Sequence, residues 1–255
     1  MFCGQIIALN LGDLENGLNL VREALRILDA VSNKIFPLLR IAQIQLSLGQ
    51  FEDAQQTLET AQPVAERNVY DLGRVGLKMV TILLYSALGD VTHLRLALEL
   101  ANEILQMEAS QLVSRQYRMA AACEATAAHL SLVRLSTNEV ERQRHARQAL
   151  ETSQMALETY ESFGYVNIVE CACEEMYLRH SQALAANGRA AEAAEYLELA
   201  YSEMMRKHEL IPASSPYRRT YLENIAYHRE IRAAHTAAAM ARLSTTRGTD
   251  NLVSP

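Results

Sequence analysis

Small and apolar residues recur along the chain at the spacing of one helix face, between short polar turns. In the stretch LGQFEDAQQTLETA, Gly49 is followed by Ala54, Leu58 and Ala61, with charged and amide side chains between them. Residues four and seven apart lie on the same face of an α-helix. The stretch therefore predicts a turn at the glycine, followed by a helix that packs closely on a neighbour through its small residues.

The same spacing returns along the chain. A small residue or a leucine stands five residues after a glycine, and an alanine follows seven residues later, in Gly12–Gly17–Ala24, Gly49–Ala54–Ala61, Gly89–Leu94–Ala101 and Gly188–Ala193–Ala200. A fifth copy keeps Ala149 and Ala156 without the glycine. The copies are 37, 40, 55 and 44 residues apart. A period between about 20 and 50 residues is typical of helical repeat arrays.

The pattern predicts an all-α fold, a right-handed superhelical solenoid of antiparallel helix hairpins. We expect helices at about 13–30, 34–48, 51–66, 70–88, 91–108, 112–135, 138–160, 165–187 and 190–207. The array then covers residues 1–207, and its first repeat is expected to be truncated because so few residues precede Gly12. Pro216 opens a capping helix at 216–242, and 244–255 read as a disordered tail.

This pattern resembles the tetratricopeptide repeat, in which W-x2-L-G-x2-Y on the first helix leads to A-x3-F on the second. The second-helix half matches at Ala54 and Leu58 and again at Ala193 and Leu197, whereas the first-helix half has lost its aromatic residues. The closing segment YLENIAYHREI (221–231) is similar to the ends of repeat arrays in bacterial signalling ATPases and nucleotidyl cyclases. The resemblance implies the scaffolding or sensory C-terminal part of a bacterial multidomain signalling or regulatory protein.

Composition narrows the function classes. The formal charge is −6, which gives no overall attraction to nucleic acid or anionic lipid. The chain has no apolar run of about 18 residues and no signal peptide at its start, so we expect a cytoplasmic protein. The basic segment RQRHAR (142–147) lies near Glu139 and Glu141, which predicts a solvated face or a protein-docking patch.

Catalytic motifs are absent from the sequence. It has no Walker A loop, no GxGxxG, no HExxH and no GxSxG. The seven histidines are scattered and read as surface residues, and the adjacent Glu174 and Glu175 read as a solvated face. The four cysteines read as small hydrophobes. We therefore expect no catalytic residues, no cofactor and no metal, although an enzyme on a repeat scaffold is a third hypothesis beside the two below.

The resemblance implies that the first helix of each hairpin lines an inner wall where partners bind. The positions that correspond are Phe36, Leu39, Gln43, Leu46, Met79, Leu83, Arg115, Arg118, Leu178 and Gln182. None is the lysine or asparagine that the family uses to hold peptide carboxylates. The mostly apolar lining favours a protein or peptide partner, an amphipathic helix or an apolar segment, with no membrane and no nucleic acid.

Two functional hypotheses follow. The first is a non-catalytic protein–protein interaction module. The second is a regulator that senses a peptide or a small ligand and closes around it. The apolar residues of the inner wall also have a second interpretation. They can be part of the core, buried against neighbouring helices, instead of forming a binding surface.

Overall fold

The computed structural model describes residues 1–28, 34–67, 71–107, 112–166 and 171–250, with 112–114 and 242–250 described by their backbone alone. All regular secondary structure in these ranges is helical. The helices are α1 (Phe2–Gln5, continued by a π-helical segment Ile6–Asn10), α2 (Leu14–Ile27), α3 (Ile35–Ser47), α4 (Phe51–Glu66), α5 (Asp71–Leu88), α6 (Val91–Leu105), α7 (Leu112–Leu135), α8 (Glu139–Ser162), α9 (Cys173–Ala186), α10 (Ala190–Leu210), α11 (Tyr217–Glu223) and α12 (Ala226–Asp250).

The first ten helices form five consecutive hairpins. Each odd-numbered helix packs against the even-numbered helix that follows it, and each hairpin packs against the next. The odd-numbered helices also contact one another in order, α3 with α5, α5 with α7 and α7 with α9. The predicted all-α fold is confirmed. The α7–α8 hairpin has two helices of 24 residues each, which explains the longest interval in the repeat spacing.

Small residues occupy the helix crossings as their spacing predicts. Ala54, Ala61, Ala101 and Ala200 are 0% exposed, so the crossings have no room for a longer side chain. The four glycines that precede the repeats end a helix with φ between +73° and +76°, a conformation that residues with a Cβ rarely adopt. The glycines therefore end the helices, and the alanines that follow them allow the helices to pack closely.

The C-terminal segment differs from the single helix expected at 216–242. Two helices occupy this region, and the first, α11, ends at Glu223. The second, α12, continues to Asp250, which lies inside the segment predicted as a disordered tail. The alanine-rich stretch 233–241 lies inside the predicted helix and favours it, whereas the extension over 244–250, STTRGTD, is mostly of low helix propensity and has no explanation in propensity alone. Residues 251–255 lie outside the described residues.

The two ends of the array meet. The Thr220 hydroxyl donates a hydrogen bond to the Leu11 carbonyl oxygen at 2.6 Å, and the Asn224 amide donates one to the Gly12 carbonyl oxygen at 2.8 Å. A Cβ on Gly12 would lie 2.3 Å from the Thr220 carbonyl oxygen, so only glycine permits this approach. The first turn of the chain therefore packs directly against α11.

Candidate ligand-binding cavity

A cavity of about 610 Å³ lies between the first hairpin and the C-terminal helices. One wall comes from the turn after α1 and from α3, and it includes Leu11 and Gln43. The opposite wall comes from the start of α9, from α10 and from the α11–α12 pair, and it includes Glu174 and Lys207. A volume of this size is within the range of about 300–1,000 Å³ that small-ligand pockets occupy.

Glu174 forms a buried charged cluster in this wall. Its carboxylate accepts a hydrogen bond from the Lys207 ammonium at 2.5 Å, and the Nε2 atom of His228 lies 3.4 Å away. Burial alone favours the neutral acid, but the interactions with His228 and Lys207 outweigh burial and lower the pKa of Glu174 to about 2. The His228 Nδ1 atom lies 2.7 Å from the Tyr221 carbonyl oxygen, which ties this cluster to α11.

A second charged cluster joins α9 to α12. The Arg179 guanidinium lies 2.6 Å from a Glu230 carboxylate oxygen and 3.4 Å from one of Glu175. The Gln182 amide lies 3.4 Å from the same Glu230 carboxylate. Burial raises the pKa of Glu175 and Arg179 opposes this effect. Each ionised group in this cluster therefore has an oppositely charged neighbour.

Glu124 on α7 also lines the cavity, and its carboxyl group differs from the paired carboxylates described above. Among the described residues, no side chain or backbone group forms a hydrogen bond or an ion pair with its carboxyl group. Burial raises the pKa of Glu124 to about 8, the charge of Glu175 adds to this effect, and the charge of Arg179 opposes it. The side chain is therefore mostly a neutral acid at pH 7.

A recess of about 40 Å³ adjoins the main cavity beside Glu124. Its walls include Phe36 and Met79, and it shares Arg40 and Gln43 with the main cavity. The Arg40 guanidinium donates a hydrogen bond to the Gln43 side-chain oxygen at 2.6 Å. Apolar and polar side chains therefore line both spaces, and Arg40, Gln43 and Glu124 lie where the two spaces meet.

The structure brings six of the ten predicted inner-wall residues together in these adjoining spaces. They are Phe36, Leu39, Gln43, Leu46, Met79 and Leu83. Leu39 and Met79 are only 4% and 6% exposed, so neighbouring helices already cover most of their surface. Binding at all ten positions stays a prediction.

The other four predicted residues lie outside both spaces. Arg115 lies over the Phe163 ring at 5.2 Å, and Arg118 donates a hydrogen bond to the Met107 carbonyl oxygen at 3.1 Å. Leu178 is 1% exposed in the core formed with α10 and α11. Gln182 belongs to the Glu230 cluster described above.

Two predictions about polar residues are wrong. Glu174 is 2% exposed instead of lying on a solvated face. Five of the seven histidines are buried, with exposures of at most 9%, namely His129, His145, His180, His208 and His228. Each has a polar neighbour on another helix or turn that satisfies a ring nitrogen, as in the His129–His145 contact of 3.1 Å and the Ser153–His180 contact of 2.8 Å. Such partners are distant in sequence, so the residue pattern does not reveal them.

Glu124 was missed although the sequence carries a signal for it. It is the only acidic or basic residue between Arg118 and His129, in the alanine-rich stretch MAAACEATAA. Its immediate neighbours Cys123 and Ala125 are 3% and 2% exposed. A lone carboxyl in such a stretch indicates a charge that lies inside the fold, because the helix face around it is buried.

In the ranges described, no group of three or more His, Cys, Asp or Glu side chains is arranged to hold a metal ion. Within the same ranges, no helix has the length and apolar character needed to cross a membrane. Comparisons with protein-family models, curated proteins and solved structures found no match to the chain.

Proposed function

We propose that the chain is a non-catalytic binding module of tetratricopeptide-like repeats that encloses a small polar ligand in its central cavity. In this proposal the five hairpins form a right-handed superhelical array, and α11 and α12 close it. The observation that carries the proposal is the contact between the array's two ends, where Thr220 and Asn224 bind the turn at Leu11 and Gly12 around a cavity of about 610 Å³.

The closed arrangement favours the ligand-sensing hypothesis over an open groove. An amphipathic helix has a diameter of about 10 Å and needs an exposed apolar stripe to bind along. Leu39, Met79 and Leu178 do not supply one, because each is at most 6% exposed. A small ligand needs only the existing cavity, whose walls combine apolar side chains with a few charged ones.

The regulatory setting rests on the resemblance to the repeat arrays of signalling ATPases and nucleotidyl cyclases. A ligand that contacts both the first hairpin and the C-terminal helices stabilises their contact. Ligand occupancy is thereby linked to the contact between the first hairpin and the C-terminal helices, and through that contact to the rest of a multidomain regulator.

Thermal denaturation with a library of polar metabolite-sized compounds tests the proposal. A ligand that binds only the folded protein raises the melting temperature, by an amount that grows with the logarithm of its concentration above its dissociation constant. Ala172 lines the cavity, so Ala172→Trp fills part of it. We expect stabilising compounds to act on the parent chain and to lose their effect in Ala172→Trp.

Ala186→Trp is the matched control, because Ala186 is the exposed last residue of α9 and Ala172 immediately precedes the same helix. Compounds that stabilise the parent chain should stabilise this control equally. Equal stabilisation of Ala172→Trp, or no stabilising compound at all, would contradict the proposal.

A protein segment that binds along the inner wall gives a different result. It requires the contact between Thr220 and Leu11 to open, so loss of that hydrogen bond strengthens its binding. A small ligand that fits the closed cavity gains no affinity from the same change.

A further inference from the structure

The charges around the cavity are not evenly matched. Glu174 is paired with Lys207, and Glu175 is paired with Arg179, which also binds Glu230. Each of these carboxylates therefore has a basic neighbour within 3.4 Å.

Glu124 is the exception among the cavity's acidic residues. It lines both the cavity and the adjoining recess, so a ligand that occupies either space meets its carboxyl group. In the described part of the chain, no hydrogen-bond donor reaches this group. A partly buried carboxyl without a donor is less well solvated when ionised than it is in water, so a natural partner for it is a cation that arrives with the ligand.

We propose that the cavity binds a small organic cation, a primary ammonium or guanidinium compound, and that Glu124 is the carboxylate that pairs with it. This inference rests on the proposed function, since it names the ligand class of the same cavity. The recess walls of Phe36, Leu83 and Met79 contact the hydrocarbon part of the ligand. The cationic group then lies beside Glu124, where the recess and the cavity meet.

Binding of such a ligand releases a proton. The pKa of Glu124 is about 8 in the empty cavity, so the free protein carries a proton there at neutral pH. An ammonium group at hydrogen-bond distance favours the ionised carboxylate, and the carboxyl proton leaves to solvent as the ion pair forms. No covalent bond to the ligand forms or breaks. Affinity therefore rises with pH until Glu124 is ionised in the free protein as well.

The groups that face Glu124 determine the strength of this linkage. Glu175 and Arg179 approach from α9, Glu230 lies behind them on α12, Arg40 faces the same spaces from α3, and Tyr117 lines the recess from α7 itself. Arg179 already binds two carboxylates, so it only partly compensates a charge on Glu124. The incoming cation supplies the remaining compensation.

Isothermal titration calorimetry with benzylamine and agmatine tests the inference. Benzyl alcohol and benzoate are the neutral and anionic counterparts of benzylamine. We expect both amines to bind and benzylamine to bind at least about tenfold more tightly than benzyl alcohol. Titrations at pH 7.5 in phosphate and in HEPES, which differ in ionisation enthalpy and contain no primary amine, should show net release of protons to the buffer.

Glu124→Gln keeps the side-chain shape and removes the charge. We expect it to weaken amine binding about tenfold or more, to abolish proton release and to leave benzyl alcohol binding unchanged. Glu151→Gln is the matched control because Glu151 is exposed on α8. Glu124→Gln should remain folded, since it removes a buried ionisable group, and its melting temperature above pH 8 should exceed that of the parent chain.

The outcomes separate this inference from the proposed function. Amine binding that Glu124→Gln does not weaken, or preferred binding of benzoate, overturns the assignment of a cation. A different result would be that no amine binds, although other compounds stabilise the parent chain and lose their effect in Ala172→Trp. In that case the proposed ligand class is wrong and the proposed function stands. If no compound loses its stabilising effect in Ala172→Trp, the proposed function is wrong, and the inference about Glu124 is rejected with it.

Discussion

The N-terminal and C-terminal regions of this array hold their helices together in different ways. Between α2 and α6 the largest buried side chains are aliphatic, and Ile35, Ile44, Ile82 and Leu94 are each 0% exposed. Between α9 and α12 aliphatic contacts alternate with buried charged and imidazole groups around Glu174. The difference shows that one repeat pattern can be built on two kinds of interior, one that needs only shape and one that needs specific partners.

The largest effect is expected where close helix packing dominates, in the N-terminal region. Ala54 is 0% exposed on the face of α4 that crosses α3, so Ala54→Arg forces a long charged side chain into a filled crossing. We expect a loss of about 4 kcal/mol or more in the free energy of unfolding, or no folded protein. Urea denaturation followed by circular dichroism measures this loss.

Gln56→Arg is the matched control, because Gln56 is exposed on the same helix and an arginine there remains in water. Its stability should stay within about 0.5 kcal/mol of the parent chain. Equal stability of Ala54→Arg and Gln56→Arg would contradict the assignment of Ala54 to a helix crossing.

This N-terminal region is the one that sequence reasoning predicts well. The glycine turns and alanine positions, from Gly49 through Ala54 to Ala61, locate the helices because apolar periodicity and turn residues act over a few residues. Apolar residues in a helix stripe have a single favourable environment, the interior. The pattern therefore predicts both secondary structure and burial, although it does not predict that α11 meets the first turn.

The C-terminal site could not be predicted in the same way. A glutamate or histidine is stable in water or in the interior with a partner, and the partners of Glu174 lie 33 and 54 residues away at Lys207 and His228. Local pattern contains no information on such pairs. The inner-wall positions derived from the resemblance locate part of the cavity lining, but they omit Glu124 because the family pattern assigns it no role.

Removal of the Lys207 charge should have the next largest effect. The side chain of Glu174 is 3% exposed and that of Lys207 22%, so Lys207→Met leaves a buried carboxylate whose remaining partners among the described residues are His228 and the weakly donating Cys173 thiol. We expect a loss of about 2–3 kcal/mol at pH 7, which allows for the partial exposure of the lysine. Chemical denaturation across a pH series measures it.

The pH dependence of this loss has a definite sign. The pKa of Glu174 is about 2 in the folded chain instead of 4.5, so its contribution to stability is complete above pH 4.5 and is lost as the pH falls towards 2. The deficit of Lys207→Met should therefore shrink in the same range. The surface pair of Lys78 and Glu103 provides the N-terminal comparison, because both side chains are more than 40% exposed. Lys78→Met should change stability by at most about 0.5 kcal/mol at any pH.

The smallest effect is expected where the two regions touch. Thr220→Val removes the hydroxyl that donates to the Leu11 carbonyl oxygen and keeps the shape of the side chain. The lost hydrogen bond should lower stability by about 1 kcal/mol, equivalent to a fall of about 2–4 °C in the melting temperature. Hydrogen exchange should become faster in residues 2–13, because the contact with α11 protects this segment.

The size and the location of this change are both informative. Thr159→Val is the matched control, since the Thr159 hydroxyl is exposed and bonds only to the Met155 carbonyl oxygen within its own helix. Faster exchange confined to residues 2–13 and to α11 in Thr220→Val would show that the N-terminal and C-terminal regions are coupled. The coupling would then pass through the contact between Thr220 and Leu11. Unchanged exchange in residues 2–13 would show that the array is open in solution, and the cavity would then lack one of its walls.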